Sequence, residues 1–221
     1  GFTSTLFDLI NKEKPTHIAV CFDTHALTER HIDFADYKAN RQETPEDLLA
    51  SVPDIKRIIR GFNIPVVELD GYEADDVIAT MADRIGRSGS QVIILSSDKG
   101  FLQLLDEHVR VFNHFEQREY DVDFVRQKFE VSINQLTSYW AMAGDSSNNI
   151  KGVPKIGKKT AVLLLQQYAS LQNILNDAQA SGPAEKVQAH EALVYLCQSL
   201  VTLKTDIALD INLKTFRLDR A

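Results

Sequence analysis

Gly71-Tyr72-Glu73-Ala74-Asp75-Asp76-Val77-Ile78-Ala79-Thr80 is the stretch on which the reading of this chain turns. It follows an apolar run, Ile64-Pro65-Val66-Val67-Glu68-Leu69, that reads as a buried strand. Its own apolar positions, Ala74, Val77 and Ile78, continue to Met81 and Ile85 at helical spacing. Glu73, Asp75 and Asp76 therefore crowd a first helical turn just past a strand end, the edge where open α/β sheets bind ligands. Acids suit any helix N-terminus, so this turn alone reads as an ordinary helix start. Other acids change that weighting. Asp23 follows an apolar run at 18–22, Asp98 follows another at 92–97, and Asp145 lies beyond a helix. Carboxylates converging from several strand ends repel one another unless a hard cation sits between them. Oxygen donors alone suit magnesium or manganese rather than zinc.

The 221 residues, 44% of them hydrophobic, can bury a substantial core. No apolar stretch is long enough for a bilayer, and no secretory signal is visible. Cys21 and Cys197 lie far apart in apolar patterns and read as reduced thiols, which points to the cytoplasm. The net charge of −7 argues against broad, non-specific binding to nucleic acid. An acidic metal site inflates that count, so local basic patches matter more than the total. The chain opens on Gly1 and enters a helical pattern at once, where an α/β domain of this type usually begins with a strand. Upstream residues are expected to be missing.

Taken in order, helices are expected at 2–13 (Phe2, Leu6, Leu9 and Ile10 inward), 44–62 and 73–86, and strands at 17–22, 64–69, 91–97 and 109–115. Thr44-Pro45-Glu46-Asp47 suggests a capped helix start, and Pro53 a bend. The β-α-β-α-β order implies parallel strands. Residues 25–43 show no apolar period and read on composition as a solvated loop or short helix; the alternative is a mobile segment that grips phosphates with Lys38 and Arg41. Beyond 120 the character turns helical, at 121–129, 132–143, 158–168, 170–178 and 184–203. Residues 206–218 read as a short strand or an extended tail.

Gly144 to Ala161 forms a second constellation. Val153-Pro154-Lys155-Ile156-Gly157 makes a tight bend between helices, and the next helix begins with free N–H groups. Lys155, Lys158 and Lys159 surround it with no intervening acid. The G-V-P-x-I-G-x-K-[ST]-A spacing favours a helix–hairpin–helix that holds duplex backbone over an ordinary helical hairpin with solvated lysines.

With these residues in hand, the chain resembles the 5′-nuclease (flap endonuclease) family, which includes the N-terminal domain of bacterial DNA polymerase I. The matching stretches are 15–23, Tyr37-Lys38-Ala39-Asn40-Arg41, 71–76, Ser97-Asp98-Lys99 and 144–161. The resemblance implies an α/β fold with a PIN-like, mostly parallel sheet over 1–120. It places an arch at about 25–45 and a helical lobe over 121–221 with its helix–hairpin–helix at about 139–168. It implies magnesium-dependent cleavage of DNA at 5′ flaps or single-strand/duplex junctions, by a monomer and away from membranes. By motif, Asp23, Glu73, Asp75, Asp76 and Asp98 form the first metal site and Asp145 belongs to a second. The same motifs imply that Asp75, Asp23, Glu73 and Asp98 hold magnesium, with Asp75 as a direct ligand. Backbone oxygens of Met142, Ala143, Lys151, Val153 and Ile156 hold a potassium ion. Lys155, Ile156, Gly157, Lys158, Lys159 and Thr160 face the strand, and Tyr37, Lys38 and Arg41 form the base of the arch.

Three departures qualify this. Gly100 and Asn148 stand where the family has acids of the second site, and the family's opening strand, with its catalytic aspartate, has no match. Its loss should leave an open slot between strands. A structure-specific DNA-binding protein with impaired cleavage is therefore a close alternative. A phosphohydrolase acting on small esters is a third, disfavoured by a duplex clamp for which it has no use.

Overall fold

The computed structural model describes residues 2–218. The acidic stretch opens helix α4 (Ala74–Arg87), preceded by strands β1 (Val20–Cys21) and β2 (Val66–Val67). Before it come helices α1 (Phe2–Glu13), α2 (Glu29–Asp33) and α3 (Glu46–Gly61). After it come β3 (Val92–Leu95), β4 (Val109–Asn113) and β5 (Arg118–Tyr120). β1 and β2 pair in parallel. β3 and β4 pair in parallel, and β5 returns antiparallel to β4. Among the described residues the two ladders form separate sheets.

α4 belongs where it is for local reasons. Asp75 and Asp76 lie in its first turn and Arg84 and Arg87 in its last, so its charges complement the helix dipole at both ends. Its buried set, including Ala74, Val77, Ala79, Thr80 and Met81, is wider than one stripe. The reason is its position: it packs against β1, β3 and β4, and so spans both ladders. Behind it the chain returns. Arg84 donates to the carbonyls of Ile207 and Leu209, and Phe216 packs with Val77 and Met81.

The remaining helices are α5 (Val122–Phe129), α6 (Leu136–Ala143), α7 (Lys158–Tyr168), α8 (Leu171–Asn176), α9 (Pro183–Ala189), α10 (Glu191–Val201) and α11 (Leu213–Phe216). The largest core runs from Ile94, Val111 and Tyr120 through Leu136 and Met142 to Leu165, Val194 and Leu200, so the sheet and the helices share one interior.

Several expectations need correction. The strands are shorter than their apolar runs, and β5 was missed. The α3 helix starts at Glu46 with Pro45 before it, and no side chain caps it, so Thr44 is not the cap. Phe2 is exposed rather than inward. The expected helix at 184–203 breaks at His190 into α9 and α10. The tail at 206–218 ends in α11 and an antiparallel bridge between His17 and Arg217.

The bend after α6 depends on two glycines. A Cβ on Gly144 (φ +86°) would lie 2.7 Å from the Ile150 carbonyl oxygen, and one on Gly152 (φ +72°) 2.5 Å from that of Met142. Gly157 has an ordinary φ of −89° and open space around it. Gly144→Ala should therefore destabilise the fold by more than about 2 kcal/mol, while Gly157→Ala stays within about 0.5 kcal/mol. Urea midpoints of the two variants check this.

Candidate active site

Each acid arrives from its own element. Asp23 lies just past β1, and its Oδ1 accepts the Ala74 N–H at 2.7 Å, which caps α4 from outside. Glu73 stands at the N-cap position of α4 and Asp75 in its first turn. Asp98 lies past β3, where its Oδ1 accepts the Gly100 N–H at 2.8 Å. Asp145 follows α6. One cleft is lined by Glu73, Asp75, Asp98 and Asp145 together with Arg30 and Trp140.

The electrostatics of that cleft are uneven. Burial first, then the nearby charge of Asp98, push the Asp75 carboxyl up to about 7, with Lys38 opposing the shift and Glu73 and Asp23 adding to it. This carboxylate is short of compensating charge. Glu73 is not: its Oε2 accepts from Arg30 Nη1 at 3.0 Å and from the Tyr37 hydroxyl at 3.2 Å, and its Oε1 from Lys38 Nζ. Among the described residues, no three His, Cys, Asp or Glu side chains lie close enough to form a ready-made ion site.

Asp76 departs from expectation. It is 1% exposed and does not line the cleft. Its carboxylate takes two bonds from Arg30 and one from the Lys204 N–H at 2.8 Å. A carboxylate so fully partnered holds the fold and has little to offer an ion. Arg30, buried at 5% exposure, also donates to the carbonyls of Leu200 at 3.0 Å and Thr202 at 2.8 Å. Sequence reading passed over Arg30 as one more loop charge. The signal was indirect: a buried acid such as Asp76 requires a buried cation.

The arch residues also sit differently from expectation. Tyr37 is buried and its hydroxyl is spent on Glu73, so it presents no surface to a nucleic acid. Lys38 is tied to the same carboxylate. Arg41 is exposed and donates to Asn148 Oδ1 at 2.9 Å and to the Ser147 carbonyl at 3.3 Å. Segment 36–41 is thereby strapped to loop 145–149. The Lys38 N–H reaches the Asn148 carbonyl at 3.0 Å, Asn40 the Ser146 carbonyl at 2.8 Å, and Asn149 the Asp36 carbonyl at 2.7 Å. Residues 25–43 thus hold a short helix, α2, as one reading expected, and their 36–41 stretch is tied to a neighbouring loop rather than free. Asp145 is engaged within its own loop, accepting from the Ser147 N–H at 3.0 Å, the Ser147 hydroxyl at 2.6 Å and Asn148 Nδ2 at 2.6 Å.

On the bend and the first turn of α7, Lys151, Lys155, Lys158 and Lys159 are exposed, and none has a carboxylate within 4.0 Å among the described residues. Ile156 is buried, so it could offer a strand nothing but backbone, whereas Gly157 is open and Thr160 half-buried. Of the five carbonyls suggested for potassium, Met142 already accepts from the Val153 N–H at 2.9 Å, and Val153 from the Ile156 N–H at 3.1 Å.

A fold of this kind, with acids at several strand ends and a lysine-rich helical bend alongside, defines a class of phosphodiester-handling α/β proteins. Residues 1–130 match the 5′-3′ exonuclease N-terminal resolvase-like domain, and residues 131–221 the C-terminal SAM fold of the same family. The chain belongs to the 5′-3′ exonuclease family. Flap endonuclease Xni of Yersinia enterocolitica is 40% identical over 97% of this chain and 87% of that protein. Its namesake in Psychromonas ingrahamii is 41% identical over 97% of this chain and 83% of that protein. DNA polymerase I of Caldicellulosiruptor bescii is 36% identical over 98% of this chain, which spans 26% of that protein's length. Among solved structures, a bacteriophage T5 flap endonuclease complex with DNA and metal ions has a TM-score of 0.81 at 25% identity, covering 91% of this chain and 79% of that one. A zinc-bound T5 5′-exonuclease has a TM-score of 0.77 at 25% identity, covering 92% and 80%.

The raised Asp75 carboxyl has a thermodynamic consequence. Folded protein keeps this proton up to about pH 7, whereas the unperturbed value is 3.8. Between those limits the folded state binds the extra proton, so stability falls as pH rises through the window. Without divalent ions, the wild-type urea midpoint should drop between pH 5 and pH 8 more than that of Asp75→Asn. Equal slopes would show that Asp75 ionises normally.

Proposed function

We propose that this protein is a divalent-metal-dependent 5′ nuclease that cuts DNA phosphodiesters at 5′ flaps. The observation that carries the reading is the convergence of Glu73, Asp75, Asp98 and Asp145 on one cleft, with Asp23 capping the same helix turn. Like charges are there held together, in a chain that is acidic overall and whose Lys151, Lys155, Lys158 and Lys159 are exposed with no ion pair among the described residues. The names borne by relatives of about 40% identity point the same way.

The donor set fits a hard divalent cation, magnesium or manganese, because it is all carboxylate and its central member lacks compensating charge. Asp75, Asp98, Asp23 and Glu73 would hold it. When bound, such an ion supplies Lewis acidity toward phosphoryl oxygens and an activated water. The chain's own residues do the rest. Lys155, Lys158, Lys159 and Thr160, with the open backbone at Gly157 and the first N–H groups of α7, grip a phosphate and set the register of the duplex. Potassium on the backbone oxygens of Met142, Ala143, Lys151, Val153 and Ile156 would add a positive charge at that grip. Arg41 stands exposed at the strap, bonded to the loop that leads into the same bend, and adds a positive charge toward the strand. Trp140 lines the cleft wall and limits water.

A second reading has an observation in its favour. Gly100 and Asn148 supply no carboxylate, and Asp145 is already hydrogen-bonded within its loop. Binding of a flap junction without cleavage would follow if the first site alone did not suffice.

The test is incubation with magnesium, a 5′-flap duplex and a small phosphate ester. Cleavage near the flap junction, lost in Asp75→Asn while duplex binding persists, is the expected result. The loss should exceed the about 10–100-fold typical of removing a residue that merely supports a metal ligand. Binding without cleavage establishes the second reading, and ester turnover alone overturns both.

A further inference from the structure

The two oxygens of Glu73 are not equivalent. Oε2 accepts from Arg30 and from the Tyr37 hydroxyl. Both donors are buried. Arg30 has every N–H committed: to Glu73, to both oxygens of Asp76, and to the carbonyls of Leu200 and Thr202. That side of Glu73 is fixed. Oε1 is held by Lys38 Nζ. Lys38 has no other carboxylate partner among the described residues; its side chain is 13% exposed, and its Nζ lies 5.0 Å from the Tyr37 ring centroid, a contact it would give up on leaving Glu73. Its backbone is anchored, with a left-handed φ of +58° and its N–H on the Asn148 carbonyl. The ammonium thus moves on a fixed pivot.

We propose that the Lys38 ammonium and a divalent cation are alternative occupants of Glu73 Oε1, so that loading the ion evicts the lysine. No bond is made or broken in the exchange; one positive charge leaves Oε1 and two arrive. The evicted ammonium stays at the cleft mouth, because the strap at 36–41 remains tied to 145–149, and there it is free to meet a phosphate. Ion and phosphate then favour each other's binding, and by linkage the coupling runs equally in both directions. This inference rests on the metal-dependent reading above and adds to it the residue that gates the ion.

The experiment is Mn2+ titration of DNA-free protein, followed by electron paramagnetic resonance of the free ion, for wild type, Lys38→Met, Lys38→Gln and Arg41→Met. Lys38→Met should bind Mn2+ about tenfold tighter, the scale of one hydrogen bond to a charged group. Lys38→Gln should fall between it and wild type, and gives the same comparison if the methionine variant folds poorly. Arg41→Met, which removes a charge that does not touch Glu73, should change affinity less than about twofold. If wild type binds no Mn2+, the metal-dependent reading itself fails. Should wild type bind Mn2+ while the Lys38 variants bind no tighter, that reading stands and the exchange is overturned. Equal tightening in the Arg41 and Lys38 variants also overturns it, since the effect would then be the general field.

Discussion

The buried guanidinium of Arg30 is the constraint from which the rest of the site follows. Its partners lie 43, 46, 170 and 172 residues away in sequence, so one side chain joins α2, the start of α4 and the end of α10. Burial alone would lower its pKa, but the hydrogen bond and charge of Asp76 outweigh that and raise it. An isolated charge at this depth would be far too costly to hold. Removing one partner of a buried ion pair typically costs about 3–5 kcal/mol. Here the cost would fall on the helix turn that presents Glu73 and Asp75.

Around that fixed point the cleft is built against its own stability. The Asp75 carboxyl is squeezed by burial and by the negative charge of Asp98, which a purely structural site would avoid. Functional clefts concentrate such perturbed groups. Tyr37 is driven up chiefly by burial and then by the Glu73 charge, so its hydroxyl stays protonated and keeps donating. The arrangement divides the labour: Arg30 and Tyr37 serve one oxygen of Glu73, and Lys38 serves the other.

Much of this was legible in the sequence because it was local. The apolar spacing of α4, its N-terminal acids and the bend at Val153–Gly157 each depend on residues within about a dozen positions, where periodicity and glycine chemistry are informative. The glycines that matter in the bend proved to be Gly144 and Gly152, whose neighbours are carbonyls that only the folded turn brings close. What sequence hid was long-range pairing. Asp76 looks like Asp75 on paper, yet the rotation of about 100° between helical neighbours turns it toward Arg30 and away from the cleft. Tyr37 and Lys38 sit in a motif that reads as a free, basic surface, and nothing nearby in sequence reveals that Glu73 occupies both. The β5 strand was missed because its turn is set by Asn113, whose side chain accepts the Phe115 and Glu116 N–H groups and donates to the Tyr120 hydroxyl.

The return of the chain behind α4 has its own consequence. Thr80 donates to the Lys204 carbonyl, Arg84 clamps residues 207 and 209, and Phe216 covers Val77 and Met81. The acidic helix is therefore buttressed from a segment more than a hundred residues downstream. A protease that nicked the exposed stretch around Asp210 would leave every carboxylate of the cleft in place chemically. It would still loosen the helix that aims them, so damage on the far side of the molecule would register at the cleft as a fault of alignment.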